Sequence, residues 1–272
     1  MKKFFTAVIL AVFILSAQIA FAADVDWNSA PRINSKAQLA NYIENGRRKG
    51  QTEFNFVITY VKLNNEDEFN NWLKEFNEYI VVVQHYNYNR VGFGTVGFIF
   101  KITNEYPGTR VANAYLSRNK EQAWMNLTAE EQKLYNIAVG IVDEAKKRNS
   151  EVEKARYIHD EICKRVLQYK NENERDKTAL GALIDGYAQC QGYSDAFYML
   201  GRMCGLNVCR IGGIVDGRSG HAWNFITFSD GKSYCVDVTM DDTYNYDRWF
   251  LATYEQMKST YSCEWSIIPN LQ

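Results

Sequence analysis

The sequence predicts an α+β protein, and three features of its patterning lead to that class. Ser, Thr or Asn followed three positions later by Glu or Gln opens several apolar-periodic stretches, the signature of capped amphipathic helices. Two β-rich runs, 221–228 and 232–239, flank Ser229-Asp230-Gly231 and read as a hairpin. Glycines on both sides of Cys190 give way to apolar residues at Tyr193, Ala196, Phe197, Leu200 and Met203, the spacing of a buried helix face. Cys190 therefore stands at a helix start.

Residues 1–22 read as a targeting segment. Lys2-Lys3, an apolar run over 4–19 and the small-x-small site Ala20-Phe21-Ala22 predict export with cleavage before Ala23, and hence a secreted or cell-surface protein. An uncleaved anchor is the alternative, because the run approaches spanning length. No cysteine follows it to carry a lipid, and no second span is seen, so no stable membrane insertion is expected after cleavage. About 250 residues remain, room for one large or two modest domains. A net charge of −1 and a pI near 6.3 lack the basic footprint of a nucleic-acid surface.

Residues 23–118 predict a small α/β domain with no motif that ties it to chemistry. Ser35 with Gln38 heads a helix through Leu39, Tyr42 and Ile43, and Asn65 with Glu68 heads another through Phe69, Trp72, Leu73 and Phe76. Runs 52–61, 79–86 and 91–102 read as strands, and Tyr106-Pro107-Gly108 as a turn before a strand at 110–115. His85 reads as a satisfied strand histidine.

Residues 119–272 form the second predicted domain. Thr128 with Glu131 and Ser150 with Glu153 head helices over 129–148 and 151–169. His159 lies near the edge of the second helix's apolar face and reads as structural. Residues 171–177 carry balanced charges and read as a solvated loop. Asp241-Asp242 reads as a solvated loop in preference to a metal pair, because no further ligand spacing accompanies it.

Chemistry concentrates in Cys190, His221 and Asp237, read as nucleophile, base and orienter. A helix N-terminus beside an imidazolium favours the thiolate, the nucleophilic form of a cysteine. Histidine in such a pair delivers the proton to the leaving group, while a carboxylate fixes the ring's tautomer and orientation. The hairpin supplies a geometric condition. A two-residue turn would place Asp237 opposite Asn224, with Asp237 and His221 on opposite faces. A three- or five-residue loop, or a bulge at Gly231, places Asp237 opposite Trp223 and diagonal to His221, about 7 to 8 Å between backbones. That second register is predicted.

These motifs resemble the transglutaminase-like superfamily, a branch of the papain-like thiol enzymes with chain order Cys, His, Asp. The resemblance rests on Cys190-Gln191-Gly192-Tyr193-Ser194 with Ala196-Phe197, on Gly205-Leu206, on His221-Ala222-Trp223-Asn224 and on Tyr234-Cys235-Val236-Asp237-Val238-Thr239, with the helix around 154–162 upstream. It implies a helix bundle, with the catalytic cysteine at a helix N-terminus, packed on an antiparallel sheet. It also implies Cys190, His221 and Asp237 as the catalytic triad. Gln191 stands where the cross-linking members carry a tryptophan, and Ile184 stands at the offset of papain's upstream glutamine.

The expected function is thiol-dependent acyl transfer on amide bonds through an acyl-thioester, as a peptidase or amidase or as a protein-glutamine transglutaminase. The expected partners are protein or peptide substrates, including cell-wall peptides. The alternative is an inactive binding module at the cell surface or wall. The Cys190 backbone N–H is a natural oxyanion donor. Gln189 and Tyr187 are candidates for a second donor, Trp223 for a cleft wall or core residue, and Asn224 for a hydrogen-bonding neighbour of the triad. No cofactor is implied. Six cysteines without a C-x-x-C pair disfavour a structural zinc, and reserving Cys190 leaves an odd number for disulfides.

Overall fold

Capping chemistry decides where the helices begin. The computed structural model describes residues 26–65, 67–72, 87–89, 96–101 and 105–272. Ser35 Oγ accepts the Gln38 N–H at 3.1 Å at the head of helix Lys36–Arg48. Asn65 Oδ1 accepts the Glu68 N–H at 2.9 Å ahead of the helical residues 67–72. Thr128 and Glu131 bond reciprocally at the start of helix Ala129–Lys146, and Ser150 caps helix Glu151–Arg165. These caps satisfy amide groups that a helix end leaves without partners. The targeting segment, the 79–86 run, His85, Leu73 and Phe76 lie outside the described residues.

Two boundaries differ from the sequence reading. Residues 110–115 belong to helix Pro107–Leu116, not to a strand. Pro107 occupies the first helical turn, where its missing N–H costs nothing, so the Pro-Gly pair starts a helix instead of a turn. The second long helix stops at Arg165, short of residue 169. Val166 turns extended and the Leu167 N–H bonds Gly186 O at 2.8 Å, so strand pairing displaces the last helical turn.

Strands β1 (Arg32–Ile33), β2 (Glu53–Ile58), β3 (Asn87–Asn89) and β4 (Val96–Lys101) form one sheet in the order β1-β2-β4-β3. Short strands β5 (Gln168–Tyr169) and β6 (Tyr187–Ala188) pair in parallel and lead into helix Cys190–Met203. The main sheet is antiparallel. It contains β7 (Asn207–Val215), β8 (Ser219–Thr227), β9 (Ser233–Val236), β10 (Phe250–Ala252) and β11 (Tyr261–Ser262) in the order β10-β9-β8-β7-β11.

Strand alternation gives this sheet two apolar faces. Val208, Ile226 and Val236 meet the helices, packing with Leu134, Ile158, Phe197 and Leu200. Ile211, Trp223, Phe225 and Cys235 pack on the other face with Leu39, Phe54, Phe56 and Phe98 from the N-terminal stretch. The α+β class follows, with the helix bundle on one face of an antiparallel sheet and helix Lys36–Arg48 with the N-terminal strands on the other. Residues on either side of position 118 share a core, and helix Pro107–Leu116 itself packs with the Cys190–Met203 helix.

A buried ion pair ties the cysteine helix to its surroundings. Asp195 Oδ1 accepts from Arg210 Nη1 at 2.7 Å, and its Oδ2 accepts the N–H groups of Gly108 and Ala179 at 3.1 and 2.9 Å. One carboxylate thus links helix Cys190–Met203 to β7, to helix Pro107–Leu116 and to the chain before the cysteine. Each charge is buried and paired, the condition under which such groups are tolerated in an interior.

Candidate active site

Cys190 is the first residue of its helix, with Gln189 in the N-cap position. The run-in is tightly built. A π-turn at Gly181–Asp185 ends at Gly186, whose φ of 75° is a left-handed conformation suited to glycine. The Gln189 N–H then bonds Asp176 O at 2.9 Å. Gly192 is required in the first turn of the cysteine helix, because a Cβ there would run into the Asp176 carbonyl oxygen and lie 3.1 Å from Thr178 O.

Residues 171–174 are exposed, as the solvated-loop reading expects, but the end of the run is ordered by tertiary contacts. Glu174–Lys177 forms a 3-10 turn and Asp176 is buried, accepting the Glu172 and Asn173 N–H groups at 2.8 and 3.2 Å. Arg175 pairs with Asp185 and Glu130. Charge balance in the sequence hid a turn held by tertiary contacts.

The hairpin adopts the predicted register. Asn224 faces Val236, Phe225 faces Cys235, Ile226 faces Tyr234 and Thr227 faces Ser233. The Phe228 N–H bonds Lys232 O at 3.0 Å and Gly231 takes φ 82°, closing a three-residue loop. The strand ends sooner than the sequence suggests, at Val236, and helix Val238–Tyr244 begins. Asp237 is the N-cap of that helix, accepting the Met240 N–H at Oδ1, 3.2 Å away. Released from the ladder, its carboxylate reaches His221 on the same sheet face, and His221 Nε2 lies 2.6 Å from Asp237 Oδ2.

His221 stacks on Trp223 with ring centroids 5.9 Å apart. Burial works against a charged imidazole, yet the Asp237 carboxylate and, after it, Cys190 push the His221 pKa up to about 10. The structure thus pairs His221 with Asp237, with Cys190 close enough to the ring to help raise its pKa.

The remaining predicted residues divide. Gln189 is buried and its Nε2 has no hydrogen-bond partner. Tyr187 lies on β6 with the Lys170 ammonium 3.9 Å from its ring centroid. Trp223 is buried in the core while flooring His221. Asn224 is not a hydrogen-bonding neighbour of the triad. Its Nδ2 bonds Ser194 O at 3.1 Å and Cys209 O at 3.3 Å, joining sheet to helix, because its side chain projects from the face opposite His221.

Two tyrosines were missed. Tyr261 donates to Asp237 Oδ2 at 2.8 Å. Half-exposed Tyr169 has its pKa raised by burial and then by nearby Cys190. Neither lies near a motif, so only the fold reveals them. Asp241 and Asp242 also depart from the loop reading: both lie in helix Val238–Tyr244, and Asp241 is buried, accepting the Arg248 and Trp249 N–H groups at 2.9 and 2.8 Å. All six cysteines are free thiols. Among the described residues no His, Cys, Asp and Glu group has the form of a metal site, and no helix is long and apolar enough to cross a membrane.

Comparison with known proteins finds a family resemblance over part of the chain. The Transglutaminase-like superfamily profile matches residues 136–249. No curated protein sequence matches the chain. Among solved structures, one described as a TGase is 14% identical with a TM-score of 0.37, over 77% of this chain and 59% of that one. Another, from Parabacteroides distasonis and described as a candidate protease, is 10% identical with a TM-score of 0.31, over 68% of this chain and 40% of that one. The chain thus spans less than two thirds of either structure. Residues 136–249, the stretch that holds Cys190, His221 and Asp237, are thus similar to the transglutaminase-like superfamily.

Proposed function

We propose that this protein is an exported thiol enzyme that transfers acyl groups from amide bonds of protein or peptide substrates, cell-wall peptides included. The observation that carries the reading is the 2.6 Å contact between His221 Nε2 and Asp237 Oδ2, on a ring whose pKa is also raised by nearby Cys190, the first residue of its helix. Asp237 occupies Nε2, which leaves Nδ1 as the ring nitrogen for the sulfur. The Cys190 sulfur attacks the carbonyl carbon, and His221, charged at neutral pH, protonates the departing amine. Water then attacks the thioester in hydrolysis, or a lysine amine attacks it in cross-linking.

The tetrahedral oxyanion needs donors aimed at it. The Cys190 backbone N–H lies at a helix start where such groups lack intrahelical partners. Gln189 Nε2, buried and without a partner, supports the side chain before the cysteine as the second donor. Residues 1–22 supply the export signal in this reading.

The test is a parallel screen of wild type and Cys190→Ala on amide peptides, glutamine-donor proteins and peptidoglycan stem peptides. Turnover confined to wild type supports the reading. Equal signals from both proteins overturn it for the substrates tried.

A further inference from the structure

We propose that Cys163 is a second reactive thiol, a modification site for small cationic disulfides that enter a pocket beside helix Val238–Tyr244. The pocket measures about 600 Å³ and is distinct from the Cys190 triad in its residues. Cys163, His159 and Asp241 are among its lining residues. Cys163 and His159 sit one turn apart on helix Glu151–Arg165, with the sulfur 4.0 Å from His159 Nδ1. On the ring's other side, Nε2 lies 3.3 Å from Asp241 Oδ2. Both atoms are buried and neither makes a well-directed hydrogen bond, so this is a charge contact inside the wall of a polar pocket.

Nδ1 is shared between the sulfur and Asp160 Oδ1, 2.9 Å away, so a thiol and two carboxylates surround one imidazole, and the half-buried sulfur lines the open space. Burial opposes a charged His159, but Asp241, then Cys163 and Asp160, push its pKa up to about 10. A charged imidazole beside a thiol favours attack by the sulfur. In the lining, Asp160, Asp242 and Asp247 join Asp241 against the positive charges of Arg156 and His159, an excess of carboxylates that draws a cationic reagent. Tyr193 donates to Asp242 Oδ2 at 2.5 Å and fixes that wall.

The reaction is thiol–disulfide exchange. Cys163 sulfur attacks one sulfur of the reagent, the reagent's S–S bond breaks and a mixed disulfide forms. The released thiolate takes up the proton that Cys163 gave up, so a disulfide and a thiol are consumed and a disulfide and a thiol result. The reagent is the oxidant.

Wild-type protein treated with limiting cystamine and mapped by peptide mass spectrometry tests the site. Cys209 and Cys263, half-buried like Cys163, are the internal standards. The expected result is modification of Cys163 at least about tenfold faster than either standard, with a smaller margin when anionic dithiodipropionate replaces cystamine. In His159→Gln the Cys163 rate should fall to that of the standards. A wild-type Cys163 rate no greater than that of Cys263, or no preference for the cationic reagent, overturns the proposal without needing any variant to fold. Cys190 is mapped on its own peptide, so its behaviour neither supports nor masks the outcome.

Discussion

Tyr261, on the last strand, donates its hydroxyl to Asp237 Oδ2 at 2.8 Å, the same oxygen that lies 2.6 Å from His221 Nε2. The other oxygen caps helix Val238–Tyr244 through the Met240 N–H. The carboxylate is thus held from three directions, and its aim at the imidazole is set by a residue near the C-terminus and by a helix end. Burial and then Asp237 raise the pKa of Tyr261, so the phenol stays protonated and continues to donate.

Tyr261→Phe removes that donor while keeping the ring that packs on Trp223 and Trp249. A hydrogen bond to a charged group contributes about 1.5 to 3 kcal/mol, and urea unfolding should show a loss in that range with an unchanged m-value. On a substrate found by the screen, kcat should fall with little change in KM, because the tyrosine positions Asp237 and is not placed to touch substrate. Unchanged stability and kcat would remove Tyr261 from the account.

Asp237→Asn tests the origin of the raised His221 pKa. A histidine whose pKa rises from about 6.5 unfolded to about 10 folded contributes stability that is complete below about pH 6.5. That contribution fades as pH rises through about 10. The stability difference between wild type and Asp237→Asn should be largest below pH 6.5 and should narrow towards pH 10. His159, also raised to about 10, is present in both proteins and cancels in the difference. Thermal melts of both proteins across this range provide the check, and a gap that widens with pH contradicts the assignment.

Gln189→Leu separates activity from stability. Its Nε2 is buried without a partner, an arrangement that costs the fold the desolvation of an amide. An apolar side chain of similar size should leave the melting temperature unchanged or higher. If the amide serves the oxyanion, kcat should fall by about 10² to 10³. Full activity in a stable variant would assign the second donor elsewhere.

Asp195→Ala probes the buried link between the cysteine helix and β7. It leaves Arg210 charged and buried without its carboxylate at 2.7 Å, and deprives the Gly108 and Ala179 N–H groups of their acceptor. Breaking a buried pair from one side costs about 3 to 5 kcal/mol, measurable as a shift in the urea midpoint. A shift below about 1 kcal/mol, the range of exposed pairs, would show that the pair does not anchor the helix.

What was legible in the sequence was local. Ser35, Asn65, Thr128 and Ser150 announce their helices because the cap and its amide lie three residues apart. The hairpin register was legible because loop length and strand parity together leave few ways to place Asp237 and His221 on one face. Pro107 misled because a Pro-Gly pair suits a turn as well as a first helical turn, and only packing against the cysteine helix decides. Asp176 and Asp241 look solvated by composition, yet each is buried by amide groups that fold onto it. Tyr261 carries no local signal, since it meets Asp237 only after β11 closes the edge of the main sheet.

The triad stands or falls on whether His221 governs the reactivity of Cys190. Limited alkylation with iodoacetamide at pH 6, followed by peptide mapping, measures this in wild type and His221→Ala. The triad predicts that Cys190 is alkylated well ahead of Cys204 and Cys235, which are also buried, and that His221→Ala slows it at least about tenfold. An equal Cys190 rate in the two proteins contradicts the triad.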